Sequence, residues 1–136
     1  MNGSNDLGAL IGRILLAVIF VMSGFSKITG FAGTAGYMAS AGIPAGLVTP
    51  ALILTILVEF GCGLLIVIGF RTRLAALLIF LFLIPVTYLF HFVPYRQGTN
   101  AMINMIMVLK NISMMGGLLF VASMGPGGYS FDGNGE

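Results

Sequence analysis

Apolar residues run through this chain in four long blocks rather than in the short alternations of a soluble fold. The blocks cover about residues 7–26, 48–70, 74–93 and 101–124. Each is close to the 20 or so helical residues that a bilayer core about 30 Å thick requires. Charges inside them are few: Arg13 in the first, Glu59 in the second, Lys110 in the fourth. The third block has no formal charge and carries His91 near its end. This pattern predicts an all-α polytopic membrane protein, a four-transmembrane-helix bundle forming a single domain over residues 1–136. Its first solvent is the lipid bilayer.

Glycine and proline punctuate the connections. Residues 30–50 read as a loop of about twenty residues, whose middle, FAGTAGYMASAG, has the composition of a short interfacial helix before a Gly42-Ile43-Pro44 turn. Residues 70–73 form a tight turn with Arg71 and Arg73, and residues 94–100 join the last two spans. Gly125-Pro126-Gly127-Gly128 ends the final helix. Pro85, inside the third span, removes one backbone donor and is expected to kink it. The N-terminal stretch MNGSND lacks the positive charge of a signal peptide, and no cleavage site follows the apolar run directly, so the first block reads as a retained span. An even number of spans puts both termini on the same side. Arg71 and Arg73 fall on that side, with Lys27 and Arg96 opposite. Arg13 snorkelling toward the N-terminus tips the expectation toward cytoplasmic termini and a cytoplasmic Arg71/Arg73 turn.

Composition removes several function classes. Hydrophobic residues are 58% of the chain and charged residues 7%, against about 25% charged in soluble domains. The six basic residues are scattered, and no basic stripe exists to bind phosphates, so no nucleic-acid partner is expected. A single cysteine, Cys62, permits no intrachain disulfide or CxxC redox pair, and reads as a small buried hydrophobe. A single histidine cannot supply both axial ligands of a bis-histidine haem. The nine methionines lack the paired spacing of a copper path, and no metal site is expected.

The informative residue is Glu59, about eleven residues into its span and so roughly 16 Å deep. A lone carboxylate there costs several kcal/mol and must be protonated, hydrated or paired. Counting depth from the span ends brings Arg13 and Lys110 to within about one helical turn of it. Arg13, Glu59 and Lys110 are therefore expected to form a buried polar cluster, which either fixes helix register or anchors a ligand or proton. A second group, Lys27, Tyr37, His91 and Tyr95, gathers at the membrane face opposite the termini. It reads either as an aromatic belt with snorkelling cations or as a quinone-type ligand pocket. Small residues at Gly8/Gly12 and Ser113/Gly117 are spaced for close backbone approach.

The run Ser23-Gly24-Phe25-Ser26-Lys27-Ile28-Thr29-Gly30-Phe31, then Gly42-Ile43-Pro44, Glu59-Phe60-Gly61-Cys62-Gly63 and Gly69-Phe70-Arg71-Thr72-Arg73, resembles the DoxX family of small bacterial membrane proteins. Lys110-Asn111, Gly116-Gly117, Gly125-Pro126-Gly127 and Ser130-Phe131-Asp132 extend the resemblance to nearly the whole chain. It implies a four-helix bundle in the bacterial cytoplasmic (inner) membrane, with Lys27, Glu59, Arg71, Arg73 and Lys110 on motif positions. It also implies similarity to the membrane subunit of thiosulfate:quinone oxidoreductase. Three functional expectations follow: an accessory subunit of a membrane oxidoreductase or respiratory complex, a quinone-interacting redox subunit, or a small proton-coupled carrier. The chain carries no self-sufficient catalytic motif and no covalently bound cofactor is expected. A quinone, a membrane-protein partner or a second copy of the chain would have to complete it.

Overall fold

The computed structural model describes residues 3–133, and these are helical apart from turns and a short C-terminal segment. Five helices follow one another: α1 Gly3–Thr29, the short α2 Phe31–Ser40, α3 Ala45–Ile68, α4 Thr72–Arg96 and α5 Ala101–Met124. All except α2 are long and apolar enough to cross a membrane. In hydrocarbon a spanning segment must satisfy its own backbone polar groups, and a continuous helix does so. The four expected spans are all present: the first and third run a few residues longer at each end, the second is shifted by two to three residues toward the N-terminus, and the bounds of the last agree.

The breaks between helices have local causes. Gly69 (φ 75°) and Arg71 (φ 46°) take left-handed conformations, so the chain reverses within three residues between α3 and α4. Asn100 (φ 41°), a residue type that tolerates this region, precedes α5. The FAGTAGYMAS stretch does form a helix, α2, which buries Met38 against Val48 and Leu52 of α3.

Most contacts run between α4 and α5 and between α1 and α3. Where lipid is as apolar as leucine, close packing rather than exclusion of water holds helices together. Gly24 of α1 shows this: a Cβ there would lie 2.6 Å from the backbone nitrogen of Phe60. One helical turn away from Phe60, Gly63 packs against Val21. The Gly117 position meets Leu16, as expected for a small-residue contact, whereas Gly8 and Gly12 face no neighbour among the described residues. The core joins Ala17 and Phe20 of α1 to Ile66 of α3, Ala76, Ile79 and Leu83 of α4 and Leu118 of α5. Outward-facing Leu15, Met22, Met102 and Phe120 are between 65% and 78% exposed, the face that lipid covers.

The start of α1 and the described C-terminal residues lie at one end. After α5 the chain folds beneath α1, where the Gly128 amide donates to Asp6 at 2.7 Å. Asp132 then caps α4, accepting from the Arg71 and Thr72 amides and the Thr72 hydroxyl, each at 2.8 Å.

Two spans contain a turn of π-helix, Leu57–Cys62 in α3 and Tyr88–Phe92 in α4. Glu59 lies in the first and His91 in the second. Such bulges insert an extra residue and re-aim the side chains around it, and they gather at functional sites. Pro85, three residues ahead of the second π turn, is accommodated inside the continuing helix.

Candidate functional site

A buried carboxylate in an apolar bundle needs a cation, and Glu59, 7% exposed, has one. The partner is Lys27, whose ammonium donates to Glu59 Oε2 at 2.9 Å and to Ser23 Oγ at 2.7 Å. Among the described residues this is the ion pair that crosses between helices. It is set by packing: Gly24 against Phe60 fixes the register of α1 on α3, and Lys27, one turn beyond Gly24, reaches Glu59.

This corrects the expected cluster of Arg13, Glu59 and Lys110. Arg13 lies near the terminal end, with its guanidinium against Gly69. It donates to the carbonyls of Pro126, Tyr129 (2.8 Å) and Val67 (3.3 Å), and so ties α1 and α3 to the C-terminal segment. Equal depth along the two helices would place Arg13 beside Glu59 only if the first two spans ended level. They do not: α2 fills the space past the end of α1, and the first part of α3 runs alongside it. Lys110 does share the Glu59 site, but not as its ion-pair partner. Its ammonium meets Met107 Sδ at 3.2 Å.

Members of the two groups expected separately, without Arg13 and Tyr95, share one cavity of about 470 Å³. Lys27, Glu59, Lys110, Tyr37 and His91 all line it. Tyr95 does not belong to that lining and instead lies with its ring 6.4 Å from that of Phe92. Tyr37 leans on Phe90, ring centroids 5.7 Å apart, and so places α2 over the cavity beside α4. Phe20, Phe82 and Leu83 give the remaining wall an apolar character.

Neutral polar residues complete the site. Asn104 donates to the Thr99 carbonyl at 2.7 Å, which turns its own carbonyl oxygen toward His91. At 3.3 Å that oxygen accepts from His91 Nδ1, and in the neutral ring Nε2 is then left as an acceptor. Buried Asn111 donates to Thr87 at 2.9 Å, joining α5 to α4 beside the cavity. The supporting parts of Ser23, Thr87 and Asn104 were not anticipated from the sequence. Ser23 had one signal, its place four residues before Lys27 on the same helix face.

The Arg71/Arg73 turn sits at the terminal end, as expected. Arg73 donates to the carbonyls of Ala122 (3.1 Å) and Ser123, closing the end of α5. Among the described residues no group of three or more His, Cys, Asp or Glu side chains is placed to hold a metal ion.

A four-span helical membrane bundle with a charged cavity between its spans and the short helix α2 is the class of protein these features define. The chain belongs to the DoxX family, whose model matches residues 8–92. It is 42% identical over 132 residues to Inner membrane protein YqjF of Escherichia coli, covering 97% of this chain and 95% of that protein. It is 38% identical over 123 residues to Inner membrane protein YphA of the same organism, covering 90% and 86% respectively. No solved structure matches significantly.

Proposed function

We propose that this chain is an inner-membrane subunit that holds a quinone-type ligand in the Lys27–Glu59 cavity, serving a partner oxidoreductase. The observation that carries the reading is this cavity itself. A purely accessory subunit has no need of about 470 Å³ of space lined by an ion pair, a second lysine and a histidine. Pockets for small ligands run to about 300–1,000 Å³, mostly apolar with a few placed polar groups, and this cavity has that make-up.

The residues fit a planar, carbonyl-bearing ring. Lys27 has three N–H donors and spends two on Ser23 and Glu59, leaving one for a ligand oxygen. Phe20, Phe82 and Phe90 offer faces and edges for the ring. Glu59 and the Nε2 of neutral His91 can accept protons from a bound hydroxyl. The ligand would supply the redox chemistry, and the chain binds, orients and handles protons. Redox partnership is the accessory part of the reading, since electrons must arrive from another protein.

Extraction of the full chain with native lipid, followed by chromatography of the organic phase, tests this. Quinone in near-stoichiometric amount with the wild type, and its loss from Glu59→Gln, is expected. A quinone-free wild-type extract that also fails to bind added quinone would overturn the proposal. An oxidoreductase recovered with such a ligand-free chain would return the reading to an accessory subunit.

A further inference from the structure

The cavity is not electrically balanced. Its formal charges come from Lys27, Glu59 and Lys110, with His91 as the remaining titratable base and Tyr37 as a neutral phenol. Lys27 and Glu59 cancel one another at 2.9 Å. Lys110 has only a thioether, Met107 Sδ at 3.2 Å, which is a weak acceptor. It makes no ion pair among the described residues. An uncompensated ammonium among apolar helices costs several kcal/mol, and membrane proteins place such groups at ligand or ion sites.

We infer that the cavity selects a planar ligand bearing one negative charge, and that Lys110 is the residue that selects it. The inference rests on the quinone-type reading above and narrows it to rings with an ionised acidic hydroxyl. A neutral ring leaves the Lys110 charge standing. An anionic ring removes it and gains a charge-assisted hydrogen bond, stronger than a neutral one and shorter. Glu59 does not repel the anion strongly, because its own charge is already met by Lys27. The Asn111 side chain, next to Lys110 and fixed by Thr87, adds a polar group on the same side of the cavity. Specificity for charge thus comes from α5, while α1 and α3 supply a neutral pair.

Two naphthoquinones of nearly equal shape separate the possibilities: 2-hydroxy-1,4-naphthoquinone, ionised at neutral pH, and 2-methoxy-1,4-naphthoquinone, which cannot ionise. Binding to the full chain in nanodiscs of neutral phosphatidylcholine is followed by quenching of tyrosine fluorescence or by calorimetry. The hydroxy compound should bind the wild type about tenfold more tightly, as one charge-assisted hydrogen bond allows. Lys110→Met should bring the two affinities together, and Lys110→Arg should keep the preference. Equal affinities in the wild type overturn the inference while leaving the quinone-type reading intact. A preference that survives in Lys110→Met overturns the assignment to Lys110. Failure of both compounds to bind removes the quinone-type reading and this inference with it. Should Lys110→Met not fold, the wild-type ratio and Lys110→Gln decide the matter. Nanodiscs doped with anionic phosphatidylglycerol provide a last arm: abolition of the preference there would assign the Lys110 counter-charge to a lipid phosphate and overturn the ring anion.

Discussion

The two ends of this bundle bury charge in opposite ways. At the terminal end Arg13, 2% exposed, is surrounded by backbone carbonyls drawn from α3 and the C-terminal segment. Those acceptors belong to the chain itself, and Gly69 packs directly against the guanidinium, with a Cβ there only 3.2 Å from Arg13 Cζ. At the other end Glu59 pairs directly with Lys27 on the wall of a cavity that Lys110 and His91 also line. The first arrangement ties the chain's own backbone together, with the guanidinium Nε left unpartnered among the described residues. The second leaves donors, acceptors and space unspent. Burial of a charge in a membrane helix is therefore not enough to mark a functional site, and what distinguishes the Glu59 end from the Arg13 end is the room beside it.

Substitutions at each end should separate these roles. The largest effect is expected from Glu59→Gln, which leaves Lys27 buried without its counter-charge. Removing one partner of a buried pair costs about 3–5 kcal/mol; with the Lys27 side chain 22% exposed, about 2–3 kcal/mol is expected here. Thermal unfolding in nanodiscs should register that loss together with loss of ligand. Arg13→Met should destabilise by a similar or slightly smaller amount, about 2 kcal/mol, by stranding buried carbonyls. Its ligand affinity should be unchanged. A matching drop in affinity would erase the distinction between the two ends.

Asp132→Ala removes the cap on α4 and should cost about 1 kcal/mol. Limited proteolysis should then cut after α5 more readily, with ligand binding again unaffected. The smallest effect is expected at Gly12→Ala, where an added Cβ meets nothing within 4 Å. Helix propensity predicts a gain of at most about 1 kcal/mol. A substantial loss at Gly12 would instead reveal a partner on that face of α1.

Much of this molecule was legible in the order of its residues. Four apolar blocks, the glycine and proline between them, and the interfacial FAGTAGYMAS stretch correspond to α1–α5 with small shifts of boundary. The membership of the site was also largely legible, since Lys27, Glu59, Lys110, Tyr37 and His91 all stood out as polar residues in or beside apolar runs. The pairing was not. Depth counted along separate helices carries no information about their relative register, and here that register depends on Gly24 fitting against Phe60. The same limit hid Asp132 and Asp6, whose roles exist only because the C-terminal segment folds back beneath α1. Tyr95, close in sequence to His91, lies outside the lining because the π turn at Tyr88–Phe92 changes which residues share a face.

The central claim is that Lys27 and Glu59 act as one unit at the ligand cavity. A double-mutant cycle with Lys27→Met, Glu59→Gln and the combined variant, read by unfolding free energy in nanodiscs, tests it most directly. The pair predicts a coupling of about 2 kcal/mol, with the double variant more stable than Glu59→Gln alone. Additive losses within about 0.5 kcal/mol would mean that the two side chains do not interact, and would contradict the account.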